Sequence, residues 1–292
     1  MGSRRSFLAS MAAGLGASVV KPALGAPVPE VKGAFPGSIG LQLYSVRKDL
    51  EKDVPGTLAR VRSLGIREVE SAGLAGMTAE GFRKALDDAD LVCRGAHMGL
   101  DRIRDGIADA LKEARTLGVR YLVCPFLPHE GEFTREGALR AAEAFNAAGR
   151  AAKAEGIQFG YHCHGYEFVA STEGTLFDTL RQNTDSELVA FEIDIFWAKA
   201  GGADPAALIS SLSGRVPLLH VKDMKKGLTF EKGTFKADPD ANVPAGEGQL
   251  DLPGVVRAGV QSGVKIYFVE DETGAPWDQI PKTLQYLQSL RV

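Results

Sequence analysis

The sequence is poor in cysteine, and its few thiols cannot all pair. Cys93, Cys124 and Cys163 are the three cysteines of the 292-residue chain, and each lies within or at the end of an apolar run. An odd number of cysteines in such positions argues against a disulfide framework. We therefore expect all three thiols to pack in the core.

The folded part of the chain also lacks a long basic stretch and a nucleotide-binding glycine fingerprint. In the full 292-residue chain, 37 acidic residues outnumber 34 basic ones, which gives a formal net charge of −3. Binding to nucleic acid through its phosphates is therefore not predicted. No Gly-x-Gly-x-x-Gly motif follows the first predicted strand, which disfavours a dinucleotide-binding sheet. The composition, 45% hydrophobic and 24% charged, is that of an ordinary globular protein with one large core.

Residues 1–26 lack the length of apolar sequence that spans a bilayer well. Arg4 and Arg5 stand in the pattern Ser-Arg-Arg-Ser-Phe-Leu, and a mildly apolar segment rich in glycine and alanine follows. This arrangement predicts a cleavable twin-arginine export signal; an amphipathic helix or a membrane anchor is the alternative. No cysteine lies near the cleavage site, so a lipoprotein is not indicated. We expect a periplasmic protein that the twin-arginine machinery exports already folded, without stable membrane insertion.

Residues 27–36 predict a linker, because proline and glycine recur there, and residues 37–292 predict the folded domain. Within this domain, a helical pattern ends four times in a glycine and a β-rich run follows. Glycine is the usual residue after a helix because it accepts a positive φ. Branched and aromatic residues after it are a strand signal. The four joints contain Gly65, Gly118, Gly156 and Gly263.

Eight predicted strands alternate with helical patterns along the folded domain. The strand runs are almost continuously apolar, as expected for a parallel sheet that helices cover. Eight such units predict an α/β fold, a parallel eight-stranded (β/α)8 TIM barrel. An open doubly wound sheet is the alternative. The predicted strands are 39–44, 66–70, 91–97, 119–124, 157–163, 188–194, 216–222 and 264–270.

The last four strands stop where metal-ligand and acid/base side chains begin. His162, Asp194, His220 and Glu270 stand at these strand ends. A barrel brings the C-terminal ends of its strands to one rim, so the four side chains are predicted to face one another. Each residue alone is as well explained by a structural hydrogen bond or a helix cap. Together, two imidazoles and two carboxylates predict one divalent metal ion, with Mn²⁺, Zn²⁺, Co²⁺ or Fe²⁺ preferred over Mg²⁺ and Ca²⁺.

Seven short motifs, in order along the chain, resemble the xylose-isomerase-like TIM barrels, the sugar phosphate isomerase/epimerase superfamily. The resemblance covers about residues 37–292. It implies one divalent metal held by Glu, Asp, His and Glu at the ends of strands five to eight. Asp194, His220 and Glu270 match this set, whereas His162 stands where many members have Glu. The motifs are Gly40–Arg47, Gly95–His97, Tyr161–His164, Glu192–Asp194, His220–Asp223, Gly246–Gly248 and Val269–Glu270.

The resemblance also implies a reaction. Such isomerases and epimerases move a proton next to a carbonyl through an enediolate, which the metal stabilises. Glu270 is a candidate for one catalytic base. The departure at His162 leaves the second base open among His162, His164 and Glu167. It also makes a one-base reaction more plausible, such as β-elimination or cleavage of a 3-keto glycoside.

Further side chains are assigned to substrate binding or catalysis, each with a structural alternative. Lys222 is predicted to stabilise a developing oxyanion or to pair with Asp223. Trp197 is predicted to stack on a sugar or to pack in the core. Asp271 and Glu272 are expected behind these groups or in solvent. The other predicted contacts of a sugar substrate are Gln42, Tyr44, Glu70 and His97 at strand ends and Glu247 at the rim.

The primary prediction is a divalent-metal-dependent sugar isomerase or epimerase. A 3-keto-glycoside lyase or hydrolase with the same site is the main alternative, and a non-catalytic sugar-binding protein of the envelope is another. An abasic-site endonuclease is disfavoured because the fourth strand, ending at Cys124, carries no acid there for extra metals. Export favours free sugars or glycosides over cytosolic sugar phosphates. The sequence leaves the oligomeric state open, a homo-oligomer included.

Overall fold

A computed structural model describes residues 35–172 and 174–291. The predicted export signal and the linker up to residue 34 lie outside the described residues. Eight parallel strands, β1 to β8, form a closed barrel in which β1 pairs with both β2 and β8, and each other strand pairs with its neighbours in sequence. The strands are Ser38–Gln42, Glu68–Ser71, Val92–His97, Tyr121–Cys124, Gln158–His162, Val189–Asp194, Leu218–Val221 and Ile266–Val269. The predicted (β/α)8 barrel is confirmed.

Within the described residues, eleven α-helices, α1 to α11, lie between and after the strands. Several begin at a capping side chain: Asp53, for example, accepts a hydrogen bond from the backbone N–H of Gly56 at 3.0 Å, as an N-cap residue should. The four glycines predicted at helix ends all have a φ between 72° and 86°. The helices are Arg47–Leu50, Val54–Ser63, Ala79–Asp88, Leu100–Asp105, Ile107–Leu117, Arg135–Ala154, Leu176–Asn183, Ile195–Ala200, Pro205–Ser211, Leu252–Ser262 and Pro276–Ser289.

The main hydrophobic core lies between the strands and the helices, and a smaller cluster fills the barrel. Phe268 belongs to this inner cluster, and its ring lies beside Gly40, where a Cβ would come within 2.6 Å of a ring carbon. Glycine at this position makes room for the ring. All three cysteines are buried and free, as predicted. No helix within the described ranges is long and apolar enough to span a bilayer.

The long loop after β7 is tied to the barrel through Asp223. Its Oδ2 accepts hydrogen bonds from the backbone N–H groups of Gly246 and Gly248, at 2.9 and 3.0 Å, and its Oδ1 accepts one from Leu250 at 3.1 Å. Residues 223–224 also pair with 242–243 as a short antiparallel ribbon. The Gly246–Gly248 motif therefore wraps a carboxylate with backbone amides, and Glu247 between the glycines is exposed.

Candidate active site

Four side chains from consecutive strands, His162, Asp194, His220 and Glu270, form a group that we call the outer tetrad. Each offers one ligand atom, and these atoms lie within 4.8 Å of one another. His220 Nδ1 is 2.8 Å from Glu270 Oε2, and His162 Nε2 is 3.4 Å from Asp194 Oδ2. All four residues are buried. The strand ends bring together the residues that the sequence predicted to face one another.

The hydrogen bonds behind the outer tetrad direct its free atoms towards one point. His162 Nδ1 lies 3.2 Å from the carbonyl oxygen of Pro125, to which it can donate, while His162 Nε2 is buried and has no hydrogen-bond partner in the part of the chain that the structure describes. Asp194 Oδ1 caps α8 by accepting from the backbone N–H groups of Phe196 and Trp197, at 2.9 and 3.0 Å, which leaves Oδ2 for the tetrad. Metal-binding histidines and carboxylates are held in this way. The group therefore fits a divalent ion.

Lys222 lies at the edge of the outer tetrad. Its Nζ is 2.9 Å from both Asp194 Oδ2 and Glu270 Oε2, and it also contacts Glu272 Oε1. Burial disfavours the charged amine, but the neighbouring carboxylates outweigh it and raise the pKa of Lys222 well above its ordinary value. Of the two predicted roles of Lys222, pairing with Asp223 is wrong, because backbone amides hold that carboxylate. Glu272 was expected behind the site or in solvent. It instead lines the cavity and supplies the third carboxylate that contacts Lys222.

A second group of four, the inner tetrad, consists of Glu70, His97, Glu192 and His220. Its ligand atoms also lie within 4.8 Å of one another. His220 takes part in both groups because its Nδ1 faces Glu270 while its Nε2 lies 2.8 Å from Glu70 Oε2. Glu192 received no role from the sequence. Side chains alternate across a strand, so Glu192, two residues before Asp194, shares its inward direction, and this alternation is the signal that would have found it.

Gln42 supports Glu70, a member of the inner tetrad, and both residues are fully buried. Gln42 Nε2 donates a hydrogen bond to Glu70 Oε2 at 2.7 Å, and its Oε1 accepts one from the backbone N–H of Tyr44 at 3.0 Å. Neither residue lines the cavity at the barrel mouth, where direct contacts with a sugar were predicted. His97 reaches both places, since it lines the cavity and lies 2.9 Å from Glu192 Oε2.

Charges of opposite sign alternate through the two tetrads. Burial lowers the pKa of His97, but Glu70 and Glu192 outweigh it and raise this pKa to about 9. Burial raises the pKa of Asp194, but Lys222 and His162 outweigh it and lower this pKa to about 2. The pKa of His220 is likewise raised well above its ordinary value, because Glu192 and Glu270 outweigh its burial. The site is therefore a set of ion pairs in which each charge depends on its neighbours.

The outer tetrad opens into a cavity of about 250 Å³ at the C-terminal mouth of the barrel. Aromatic rings form much of its wall. Tyr44, of which 41% is exposed, lies on one side, with the guanidinium of Arg47 3.8 Å from its ring centroid. Phe235 comes from the long loop after β7, and no sequence signal identified it. The lining residues are Tyr44, Pro125, Phe126, Trp197 and Phe235, then His97, His162 and His164, then Lys222, Glu270 and Glu272.

His164 and Glu167, both candidates for the second base, occupy different places. His164 lines the cavity, and burial lowers its pKa well below the ordinary value. Glu167 is fully buried on the helix-facing side of β5, where it accepts hydrogen bonds from the Tyr161 hydroxyl and from the backbone N–H of His164. The ring of Tyr161 packs on Phe145 of α6, with ring centroids 5.0 Å apart. The structure therefore brings His164, but not Glu167, to the cavity.

Comparisons with known proteins agree with this architecture. The sequence model of the xylose isomerase-like TIM barrel family matches residues 58–290. No curated protein matches the sequence. A sugar phosphate isomerase/epimerase from Parabacteroides distasonis is 26% identical and has a TM-score of 0.72, with 87% of this chain and 94% of that chain covered.

Two more distant structures show the same fold. A xylose isomerase-like TIM barrel protein from Mycobacterium smegmatis, in complex with magnesium, is 16% identical with a TM-score of 0.66, and the comparison covers 88% of this chain and 97% of that one. The 3-keto-D-glucoside 4-epimerase of E. coli is 14% identical with a TM-score of 0.64, over 87% of this chain and 100% of that one.

Proposed function

The chain belongs to the xylose isomerase-like TIM barrel family, and on that premise we propose that it is a metal-dependent isomerase or epimerase of a small neutral sugar. The observation that carries the proposal is the outer tetrad, whose four ligand atoms converge directly beneath an aromatic-lined cavity. His162, Asp194, His220 and Glu270 would hold one divalent ion there. When bound, such an ion supplies a Lewis acid that polarises a sugar oxygen.

The charges in the cavity favour an uncharged sugar over a sugar phosphate. Among the described residues that line it, Lys222 is the only lysine or arginine. Its ammonium group already contacts the carboxylates of Asp194, Glu270 and Glu272. A phosphate group would therefore find no lysine or arginine in this lining that is free of a carboxylate partner. The aromatic rings suit the apolar faces of a sugar ring, as aromatic side chains do in many sites.

His164 is the base that the local electrostatics favour. Its lowered pKa keeps the imidazole neutral at neutral pH, and its buried Nδ1 has no hydrogen-bond partner within residues 35–172 and 174–291. In an isomerase, His164 would take the proton from the carbon next to the carbonyl and return it to the neighbouring carbon. Lys222 would donate a hydrogen bond to the oxygen on which negative charge develops.

Glu270 is less suited to carry a proton. Burial alone raises its pKa, but Lys222 and His220 outweigh burial and hold the pKa of Glu270 well below its ordinary range. The Oε2 atom of Glu270 lies 2.8 Å from His220 Nδ1 and 2.9 Å from Lys222 Nζ, so this oxygen is already engaged within the outer tetrad and is not free to take a proton from the substrate. Chemistry with one base is therefore favoured, which supports an isomerase over a two-base epimerase.

The same argument supports a second candidate, a lyase or hydrolase that acts on 3-keto glycosides. A β-elimination needs one base next to a carbonyl, and His164 at the cavity supplies it, while Glu167 faces away from the cavity. A structural relative named as a 3-keto-D-glucoside 4-epimerase makes 3-keto sugars a sensible part of a substrate screen. A sugar-binding protein without turnover is the third reading.

One screen separates the three readings. The metal-loaded protein is incubated in ²H₂O with neutral aldoses, ketoses and 3-keto glycosides, with Asp194→Asn as the control. Deuterium uptake next to the carbonyl, lost in the variant, supports the isomerase, and release of the aglycone supports the lyase. Saturable binding of a sugar without exchange or release would leave the binding protein.

We also propose that residues 1–26 direct export of the folded, metal-loaded protein to the periplasm. The support is the twin-arginine pattern at Arg4 and Arg5. Fractionation of cells that express the full chain tests it, with the pair replaced by lysines as the control. Periplasmic protein that disappears in the control is expected, and an unchanged distribution would contradict export by this route.

A further inference from the structure

The inner tetrad has the composition and geometry of a second ion site. Around it, nitrogen and oxygen atoms alternate. Glu70 Oε2 is 3.1 Å from His97 Nε2, which is 2.9 Å from Glu192 Oε2. That oxygen is 3.3 Å from His220 Nε2, which is 2.8 Å from Glu70 Oε2. Four ligands about 2.0–2.1 Å from a tetrahedral ion lie about 3.3 Å apart. The four observed separations are at or up to 0.5 Å below this value, and all the ligand atoms lie within 4.8 Å of one another.

Each carboxylate of the inner tetrad has one oxygen that accepts no hydrogen bond from the described residues around it. Glu70 Oε1 and Glu192 Oε1 are buried without a hydrogen-bond partner among the described residues. Both glutamates are almost completely inaccessible, with 0% and 1% exposure. Their ion-pair partners are the imidazoles of His97 and His220, which are cations only when protonated. Buried carboxylates of this kind are costly unless they are paired or bind a metal.

The surroundings hold Glu70 in place before any ion binds. Gln42 donates to its Oε2 at 2.7 Å, and the backbone N–H of Tyr44 fixes the amide of Gln42 in turn. Gly95 on β3 makes room for the carboxylate, because a Cβ at that position would be 2.2 Å from Glu70 Oε1. Supported ligands that are in position before binding are characteristic of metal sites.

We propose that the inner tetrad is a second divalent-cation site, which takes an ion of the zinc type through Glu70, His97, Glu192 and His220 Nε2. The inner site rests on the proposed function only through His220, whose Nδ1 belongs to the outer tetrad. If both sites were filled, His220 would contribute Nδ1 to the outer site and Nε2 to the inner site, which would require loss of its ring proton to solvent. His97, which is part of the cavity wall, gives the inner site its path to solvent.

Zinc stoichiometry tests the inner site without any assay of activity. The full chain is stripped with a chelator, titrated with Zn²⁺ by calorimetry, dialysed and measured by elemental analysis. Glu192→Gln and His97→Asn change the inner tetrad, and Asp194→Asn changes only the outer tetrad. Two variants of the inner site keep the test informative if one of them fails to fold. Co²⁺ absorption in the same proteins reports the coordination of each ion.

Two ions in the natural protein, and one in each single variant, are expected. One ion that persists in Glu192→Gln and His97→Asn but is lost in Asp194→Asn would overturn the inner site and leave the proposed function intact. One ion with the reverse pattern would support the inner site and overturn the outer one as the metal centre of the proposed function. No bound zinc in the natural protein would overturn both.

Discussion

The outer and inner tetrads share His220 and the same ligand types, yet they meet their surroundings differently. Both outer carboxylates contact Lys222, and Glu270 lines the cavity, whereas the inner carboxylates contact histidines and a glutamine and do not line it. On β6 the two depths are separated by only two residues, from Glu192 to Asp194. The comparison teaches that depth along a barrel strand decides whether an ionisable side chain meets a substrate or only its own neighbours.

Replacing Lys222 with Met would remove the cation that distinguishes the outer tetrad from the inner one. We expect this change to have the largest effect on stability. The carboxylates of Asp194, Glu270 and Glu272 would lose their shared cation. Removing one partner of a buried ion pair costs about 3–5 kcal/mol, so the metal-free variant should unfold at a clearly lower urea concentration. Zn²⁺ should recover much of this loss. Lys225→Met, at an exposed position, is the matched control, and equal stability of the two variants would contradict the role of Lys222.

The pair Asp194→Asn and Glu192→Gln compares the two depths on one strand. If the outer tetrad holds the reacting ion, Asp194→Asn should slow deuterium exchange on the order of 100- to 1000-fold. Glu192→Gln acts through His220 and should slow it by about 10- to 100-fold. The rates at saturating sugar are the measurement. A larger loss in Glu192→Gln would reverse the assignment of the two tetrads.

Glu167 extends the comparison to a buried carboxylate without a cation. Burial raises the pKa of Glu167 to about 7, although the Tyr161 hydroxyl and the backbone N–H of His164 donate to it. The folded state thus binds this proton more tightly than the unfolded state. Its contribution to stability is present below pH 4.5 and is lost as the pH rises to about 7, by about 3 kcal/mol in all.

The variant Glu167→Gln should remove this pH dependence, because its amide oxygen accepts the same hydrogen bonds at every pH. The difference in the free energy of unfolding between the variant and the natural protein is measured by urea denaturation from pH 4.5 to pH 7.5. It should shift in favour of the variant as the pH rises. A constant difference would show that Glu167 titrates near its ordinary pKa.

Tyr44 tests the opposite extreme of depth, at the open rim of the cavity. Tyr44 is 41% exposed and lines the cavity. Tyr44→Ala should raise KM by about 5-fold, equivalent to about 1 kcal/mol of lost stacking, and leave kcat almost unchanged. Tyr44→Phe should retain the natural KM. A rise in Tyr44→Phe as well would assign the contribution to the hydroxyl rather than the ring.

The sequence predicted the barrel because its signals are local. Glycines after helices and apolar runs after glycines are properties of a few adjacent residues, and the closed sheet confirmed them. The convergence of His162, Asp194, His220 and Glu270 followed from the fold, since strand ends share a rim.

The other parts of the site depend on side-chain directions and loop positions that neighbouring residues in the sequence do not determine. Glu167 follows the end of β5, where a short 3₁₀ turn at Tyr166–Phe168 directs it behind the strand. Phe235 reaches the cavity from a loop without periodicity. The motif around Glu247 was interpreted as a rim contact, but its glycines serve Asp223 through their backbone amides. Such roles depend on tertiary contacts that one sequence does not display.

The anchoring of Asp223 has a consequence for changing the specificity of this barrel. Four backbone amides hold this carboxylate, including those of Met224 and Leu250 on either side of the loop. The stretch between the paired residues 223–224 and 242–243 can therefore be exchanged, because these contacts fix both ends of the loop. New loops inserted there would replace Phe235 and reshape the entrance of the cavity. Lys222, which lies between β7 and Asp223, would keep its position.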